Sequence, residues 1–134
     1  MKKLIAITFL STVGALSLAP TAQAQSGQLS INIQGSTQEE NDLIALGLGL
    51  YALSQAMDDD ANVRQDGMNN LAGIAQSGFC NFSLIEQQGN NHNGSISQDG
   101  NCNSYGLFQF GEGTNNHVTQ TGNGNSGITL AFGF

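Results

Sequence analysis

Residues 65–130 read QDGMNNLAGIA QSGFCNFSLIE QQGNNHNGSIS QDGNCNSYGLF QFGEGTNNHVT QTGNGNSGITL, which is six units of eleven residues. Every unit opens on Gln-x-Gly, and its glycines are Gly67, Gly78, Gly89, Gly100, Gly111 and Gly122. An aliphatic residue precedes each of these Gln residues by two places, at Val63, Ile74, Ile85, Ile96, Leu107 and Val118. Five places after the Gln residues come Asn70, Asn81, His92, Asn103, Thr114 and Asn125. A fixed period of this kind indicates a repeat architecture.

The spacing within a unit predicts its local structure. The Asn, the aliphatic residue and the next Gln stand at offsets of one parity, so they share one face of a strand. The Gly and the Asn, Asp and Ser residues that follow each Gln are typical of a turn. Each unit is therefore a strand of about seven residues with a four-residue turn, and two units make one rung that stacks on the next at about 4.8 Å. We predict an all-β solenoid of 22-residue rungs, because the Gly content argues against an eleven-residue coiled coil.

The sequence divides into three segments, of which the last holds the repeat. Lys2 and Lys3 precede an apolar run that ends in Ala22-Gln23-Ala24, a pattern typical of a secretory signal peptide over residues 1–24. Residues 25–60 form an acidic N-terminal segment, and residues 61–134 form the repeat domain. Beyond residue 24, Arg64 is the only Lys or Arg against ten Asp and Glu residues. Nucleic acid is therefore not an expected partner.

The N-terminal segment predicts one strand and one helix. Gln28–Gly35 alternates between apolar and polar residues, as an amphipathic strand does. A capping-box pattern at residues 36–40 indicates that a helix follows from Gln38 to Met57, with a pair of strands as the alternative. Its apolar residues at helical spacing are Leu43, Leu46, Leu50, Leu53 and Met57. The acidic run at 58–60 is interpreted as a charged break before the solenoid rather than as a metal site.

The repeat resembles a known family. Gln65-Asp66-Gly67-Met68-Asn69-Asn70-Leu71-Ala72-Gly73-Ile74-Ala75-Gln76 is similar to the repeat of curlins, the subunits of curli, which are functional amyloid fibres on bacterial surfaces. The resemblance implies passage through an outer-membrane secretion apparatus, then polymerisation with itself and other curlin-type subunits into a cross-β fibre for adhesion and biofilm matrix. It implies ladder and self-assembly roles for Gln65, Asn70, Gln76, Asn81, Gln87, Gln98, Asn103, Gln109, Gln120 and Asn125. This sequence departs from the family at Ala131, which replaces the last Gln, and the role within the fibre stays open.

The physical chemistry of amides agrees with this resemblance. Buried amides are tolerated only when they are hydrogen-bonded, and stacked rungs place equivalent amides close enough to bond along the axis. The same ladders could also serve inside a monomeric solenoid. The C-terminal stretch Ile128–Phe134 carries neither charge nor Pro, so we expect its edge to be open to another chain. A monomer would instead need capping elements at both ends.

Two further expectations concern packing. The outward face of the strands near residues 81–87, 103–109 and 125–131 is the more apolar one, and either the Leu43–Met57 segment or a neighbouring subunit is expected to cover it. Tyr105 stands at an inward place, and it is expected to fit because small residues surround it, with Gly94 on the opposite sheet. Small or medium-sized residues hold the equivalent places at Ala72, Ser83, Asn116 and Gly127.

Cys80 and Cys102 are the only cysteines, and they lie 22 residues apart at equivalent turn positions. Stacking of successive rungs would bring their Cα atoms to about 4.8 Å, within the range that a disulfide requires. An exported chain reaches a compartment where disulfides persist. We therefore predict a bond between these two residues, with free thiols in adjacent turns as the alternative.

The sequence predicts no enzyme and no cofactor. His92 occupies an Asn ladder place and His117 points outward, so neither belongs to a recognisable metal or catalytic pattern. We expect a secreted structural subunit at the bacterial cell surface. The alternative is a soluble periplasmic or secreted solenoid with an accessory or binding role.

Overall fold

The computed structural model describes residues 27–55 and 61–134. The predicted signal peptide, Met57 and the acidic run at 58–60 therefore lie outside the described residues. The elements in chain order are β1 (Gln28–Gln34), α1 (Gln38–Ser54), β2 (Ala61–Asp66), β3 (Leu71–Ser77), β4 (Phe82–Asn90), β5 (Asn93–Asp99), β6 (Ser104–Glu112), β7 (Asn115–Thr121) and β8 (Ser126–Gly133).

The strands of the repeat alternate between two sheets. The larger sheet has the order β1-β8-β6-β4-β2, and the smaller sheet has the order β3-β5-β7. Neighbouring strands of the repeat are parallel, and each residue lies beside the residue 22 places later, as Ile85 does beside Leu107 and Ile74 beside Ile96. The predicted β-solenoid is confirmed, and it has about three turns.

The repeat glycines are required by the closeness of the stacked turns. Gly67 has a φ of 122°, and a Cβ atom there would lie 1.8 Å from the carbonyl oxygen of Gly89 in the next rung. A side chain at this place would therefore clash with backbone atoms as well as adopt a conformation that L residues rarely take. The turn carbonyls of each rung fill the space that a side chain would need, which fixes the spacing of the rungs.

The interior is apolar at its centre. Ile85, Ile96, Leu107 and Tyr105 are buried there, with Ala72, Ile74 and Val118 packed against them. Tyr105 points inward as expected, but Gly94 does not provide its space. A Cβ atom at Gly127 would lie 2.5 Å from the Tyr105 ring, whereas one at Gly94 would meet the Gln109 amide oxygen at 2.4 Å. The space comes from the neighbouring strand of the same sheet, because the ring lies along the solenoid axis.

The expectation of an open C-terminal edge is wrong for the larger sheet. Strand β1 pairs antiparallel with β8 over seven residues, from Gln28 beside Gly133 to Gln34 beside Gly127. The alternation of β1 explains this pairing, since Ile31 and Ile33 lie beside Leu130 and Ile128, on the apolar outward face. Thr129 donates from Oγ1 to Asn32 Oδ1 at 2.7 Å on the opposite, inward face. The C-terminal strand thus finds its partner within the chain.

Helix α1 begins with the predicted capping box. Thr37 Oγ1 accepts from the Glu40 N–H at 3.2 Å, and the Glu40 carboxylate accepts from the Thr37 N–H at 3.3 Å and from the Ser36 N–H at 2.7 Å. The helix ends at Ser54, so helix rather than a strand pair is confirmed for this segment. Among the described residues, no helix is long and apolar enough to cross a membrane.

The predicted apolar stripe of α1 faces away from the solenoid. Leu43, Leu46, Leu50 and Leu53 are 50–68% exposed, and the buried helix residues are Glu40, Leu48 and Ala52. Helix α1 covers the solenoid as expected of the Leu43–Met57 segment, but through Leu48 and Ala52 rather than through these four Leu residues. Shape explains the choice: a Cβ atom at Gly106 would lie 2.5 Å from Leu48, so the absence of a side chain makes the hollow that Leu48 fills. The small Ala52, one turn further on, is also buried. The helix covers the more apolar outward face of the solenoid, at β6 and β8.

A polar contact between Tyr51 and Glu86 helps to hold α1 on the larger sheet. The Tyr51 hydroxyl donates to the buried Glu86 carboxylate, and the Tyr51 ring packs edge-on against Phe108 with centroids 5.4 Å apart. Burial, together with this hydrogen bond and the charge of Glu86, raises the pKa of Tyr51 to about 12. Burial also raises the pKa of Tyr105 above its ordinary value. Tyr51 is therefore protonated in the folded chain at pH 10.

We expect the contact between Tyr51 and Glu86 to make stability fall at alkaline pH. The Tyr51 pKa is higher in the folded than in the unfolded chain, so its contribution is complete below pH 10.0 and is lost as pH rises toward 12. Unfolding free energies measured across this window should decline less for Tyr51→Phe than for the parent. Near-ultraviolet phenolate absorbance gives the direct check, because these are the only two tyrosines. Half-ionisation of Tyr51 at pH 10 in folded protein would contradict the contact.

Candidate assembly site: amide ladders and solenoid ends

The regular spacing of Gln builds two continuous amide ladders. In the larger sheet, Gln65 Nε2 donates to Gln87 Oε1 and Gln87 Nε2 donates to Gln109 Oε1, both at 2.7 Å. In the smaller sheet, Gln76 donates to Gln98 at 2.9 Å and Gln98 donates to Gln120 at 2.7 Å. Every donor points toward the C-terminal rungs. The ladders are therefore directional.

The same amides also bind the two sheets together. The second N–H group of Gln87 reaches the Leu71 carbonyl at 2.8 Å, on the first strand of the opposite sheet. Gln98 reaches the Phe82 carbonyl at 3.0 Å, and Gln109 reaches the Asn93 carbonyl at 2.9 Å. Gln87, Gln98 and Gln109 are at most 1% exposed, so these bonds satisfy groups that water does not reach. Each interior Gln thus holds its rung to the next and one sheet to the other.

The Asn residues of the repeat use a different pattern from the one expected. Asn81 and Asn103 do not bond to each other through their side chains. Asn81 Oδ1 accepts from the Asn103 backbone N–H at 3.0 Å, and its Nδ2 donates to the Gly100 carbonyl at 2.9 Å. Asn103 bonds to the Asn125 backbone and the Gly122 carbonyl in the same way. The shorter side chain reaches turn backbone instead of its counterpart, so these residues join successive turns.

His92 takes the place of Asn in one rung and, as the Asn residues do, joins successive turns by hydrogen bonds. It is 1% exposed, with Nδ1 at 2.8 Å from Thr114 Oγ1 and Nε2 at 3.1 Å from the Gln88 carbonyl. A carbonyl can only accept, so Nε2 carries the proton and Nδ1 accepts from the next rung. His117 lies on the outward face beside Ser95. Among the described residues, no group of three or more His, Cys, Asp or Glu is placed to hold a metal ion.

Sequence reasoning missed a further set of bonds at the outer turns. Asn90 Oδ1 accepts from the Met68 N–H at 2.9 Å, and Asn90 Nδ2 donates to Glu112 at 3.0 Å. On the other side, Asn101 accepts from the Phe79 N–H at 3.2 Å, and Asn123 accepts from the Asn101 N–H at 2.9 Å. These residues stand three places after each Gln, where only the later units hold Asn or Glu. This partial repetition of Asn and Glu was the feature of the sequence from which the outer-turn bonds could have been predicted.

The two cysteines are joined across successive rungs. Cys80 and Cys102 form a disulfide with their Cα atoms 4.3 Å apart. Both adopt positive φ angles, 65° and 56°, as Asn69 and Asn91 do at the equivalent place in the other column of turns. The bond closes a 22-residue loop and therefore links two stacked turns covalently.

The two ends of the solenoid differ. At the first rung, Val63 is 48% exposed, whereas the equivalent Ile85 and Leu107 are fully buried. At the last turn the ladder of the larger sheet stops at Gln109, because the equivalent place in β8 is Ala131. Beyond β8 lies β1. The first rung therefore displays the repeat residues, while the last strand is covered.

Removal of an interior ladder amide should be costly. Gln87→Ala leaves the Gln65 donor and the Gln109 acceptor without their partner and creates a cavity, so we expect a loss of about 2–4 kcal/mol in unfolding free energy. Gln65→Ala, at the exposed end of the same ladder, is the matched control and should cost less than about 1 kcal/mol. Urea unfolding of dilute monomer measures both. Equal losses would contradict an interior role for the ladder.

The disulfide should stabilise the fold by restricting the unfolded chain. For a 22-residue loop, we expect reduction to lower the unfolding free energy by about 3 kcal/mol. The control is the double variant Cys80→Asn with Cys102→Asn, which copies the left-handed Asn69 and Asn91 and should be insensitive to reductant. Two alkylated thiols in unreduced exported protein, found by intact mass, would contradict the bond.

Comparison with known proteins gives one match. Residues 67–100 match the family model described as Curlin associated repeat. Neither the search of curated proteins nor the search of solved structures found a significant match. The matched segment covers the middle of the region where the 22-residue register and both Gln ladders are seen. Residues 67–100 therefore carry the curlin-associated repeat that the eleven-residue units resemble, and this match supports membership of the curlin family.

Proposed function

We propose that this chain is a structural subunit of an extracellular curli-type amyloid fibre, which assembles by cross-β stacking and serves cell adhesion and biofilm matrix. The observation that carries the proposal is the equivalence of the first rung with the interior rungs. Val63 and Gln65 on β2 lie in register with Ile85 and Gln87 on β4. A further rung of the same kind would continue both the apolar row and the amide ladder.

The exposure of the first rung supports stacking at this end. Val63 is 48% exposed, and full burial of its counterpart Ile85 shows what one more covering rung does to that position. Covering an apolar side chain of this size contributes about 1.5–3 kcal/mol at most. Because the ladder donors all point toward later rungs, the Oε1 atom of Gln65 would accept from a Gln in the stacking strand of another curlin-type chain. In β8 of an identical chain that place holds Ala131, so between identical chains only the smaller-sheet ladder would continue. The first rung thus offers apolar surface, an amide acceptor and strand edges together.

The charge of the repeat domain is compatible with close stacking. The acidic residues of the units are Asp66, Glu86, Asp99 and Glu112. Glu86 is buried under α1 through its bond with Tyr51, and Glu112 accepts from Asn90. Low repulsion in the repeat favours association of identical chains, and the remaining repulsion is screened by salt.

The proposal includes the partners and the route. Such a subunit would pass the periplasm and an outer-membrane secretion apparatus, join copies of itself or other curlin-type chains, and act at the cell surface without enzyme activity or a cofactor. The curlin repeat in the chain supports these points as properties of a fibre-subunit family.

A second candidate function has an observation of its own. Strand β1 covers the β8 edge and α1 covers the apolar outward face, as capping elements of a monomeric solenoid do. These contacts favour a soluble periplasmic or secreted accessory protein. The two candidates differ in whether the purified chain forms fibres.

The fibre proposal is tested with the mature chain Gln25–Phe134. We expect polymerisation with a lag that preformed fibres shorten, detected by amyloid dye fluorescence and by a fibre-diffraction spacing of about 4.8 Å along the axis. Salt should accelerate it. A chain that stays monomeric for weeks at high concentration would contradict the fibre and favour the accessory role.

Two matched substitutions locate the docking surface. Val63→Lys places a charge where the next rung would bury it, so we expect seeded growth to slow by more than about tenfold. Leu71→Lys makes the same change at an exposed position of the same rung, but on the outward face of β3. It should leave the rate within about twofold, since a surface charge costs little. Equal inhibition by the two variants would contradict stacking through the first rung.

A further inference from the structure

The two ends of the solenoid differ in which strand edges they expose. The inference drawn from this difference rests on the proposed fibre function. At the N-terminal end, β2 and β3 are each paired on one side only within the described part of the chain. Their repeat residues match those of β4 and β5 in register. This end fits the parallel C-terminal edge of another curlin-repeat chain, because Gln120 of β7 there would continue the ladder of the smaller sheet to Gln76. In the larger sheet Gln65 would lie beside Ala131, so the strand pairing continues there without the ladder.

The C-terminal end is closed by β1. Its hydrogen bonds with β8 run from the reciprocal bonds between Gly27 and Phe134, at 2.5 and 2.9 Å, to the Gly35 N–H on the Ser126 carbonyl at 3.2 Å. Asn41 on α1 accepts from the Ser126 N–H at 3.0 Å. These contacts occupy the β8 edge along its whole length. An incoming parallel strand cannot pair there while β1 is present.

Strand β1 also reaches the start of β7, the last strand of the smaller sheet. Gln28 accepts at Oε1 from the Asn115 N–H at 2.5 Å and donates to Asn116 Oδ1 at 2.9 Å. Ser30 Oγ donates to the same Asn116 oxygen at 3.2 Å. The other end of β7 borders a cleft of about 200 Å³ between Gln120 and Gln34. The end of β1 thus covers part of both terminal strands.

The direction of β1 matters as much as its position. It runs antiparallel to β8 and carries Ser30 and Asn32 where the repeat would carry its inward residues. Its register places Ser30 beside Ala131, the place where the Gln ladder of the larger sheet has already ended. Neither the parallel pairing nor the ladder continues across β1. A curlin rung from another chain therefore finds neither a parallel partner strand nor a Gln ladder on the outer edge of β1.

We propose that, within residues 27–55 and 61–134, the β2–β3 rung is the docking surface that the folded chain exposes to another curlin-repeat chain. Strand β1 is a displaceable cap that blocks a second docking surface, the β8 edge. A copy adds through its first rung to a free β8 edge. It presents its own β8 edge only after β1 leaves. Growth is then polar, and its rate is proportional to the fraction of chains in which β1 has opened.

The bonding pattern of β1 supplies a matched pair of substitutions. Hydrogen-bonded pairs alternate in an antiparallel ladder, and the bonds at Gly27 and Gly35 place the N–H groups of Ile31 and Ile33 on β8. The N–H of Ser30 faces away from β8. Ile31→Pro and Ile33→Pro each remove a donor to β8, whereas Ser30→Pro makes the same change without removing one.

The experiment compares seeded elongation of the full mature chain with these three variants, with amyloid dye fluorescence as the measure. We expect Ile31→Pro and Ile33→Pro to elongate about tenfold faster or more, because a larger fraction of their chains is open. Ser30→Pro keeps every donor to β8 and loses the Ser30 Oγ bond to Asn116, whose oxygen still accepts from Gln28, so it should stay within about threefold of the parent. Equal rates for all four chains would overturn the cap and leave the fibre function intact. No fibres from any of them would overturn the fibre function, and the cap with it.

Hydrogen exchange separates a displaced cap from a damaged fold. We expect amides of β4 and β6 to stay protected in Ile31→Pro and Ile33→Pro, while protection at the β8 edge falls. Loss of protection in β4 and β6 in both variants, with protection kept in Ser30→Pro, would mean that β1 belongs to the solenoid core. That result would overturn the proposal.

Discussion

The whole structure depends on the hydrogen bonding of amide side chains that are buried between two sheets. Gln87, Gln98 and Gln109 lie in an interior where an unpaired amide would be costly. Each is satisfied only when another Gln stands 22 residues away and a carbonyl faces it from the opposite sheet. A slip of one residue would turn the amides to the outer face and leave both partners unpaired. The ladders therefore fix the register, the parallel direction and the distance between sheets at once.

The turns impose a second constraint that agrees with the first. At Gly67 and Gly78 the carbonyl of the next rung occupies the space of a missing side chain. Asn81 and Asn103 then use their amides to join the backbones of stacked turns. Because strands and turns demand the same 22-residue offset, local and global preferences do not conflict. The disulfide between Cys80 and Cys102 fits this offset without any change to it.

The features set by the period could be predicted from the sequence, and the features outside it could not. The solenoid, its 22-residue register and the inward position of Tyr105 follow from residues that recur. The partner of β1 did not follow, because an alternating strand such as Gln28–Gln34 fits any edge with a matching apolar face. The side chains through which α1 contacts the solenoid could not be predicted. Leu48 enters a hollow at Gly106, and such a hollow exists only once the sheet is assembled. The space beside Tyr105 was misplaced for the same reason.

The segment outside the repeat thus sets how a self-complementary repeat is used. Strand β1 competes with a second chain for the β8 edge, and its attachment to the same chain gives it an effective concentration of about millimolar. An incoming rung at micromolar concentration must compensate through bonds that β1 does not make, chiefly amide ladders and stacked turns. Ala131 removes one of those ladder bonds at the β8 position, which weakens the competitor at that place. In that interface the Gln65 amide of the incoming rung would face Ala131, so only the ladder of the smaller sheet would continue between the two chains. Both the loss of Gln at residue 131 and the presence of β1 therefore favour closure of the same end.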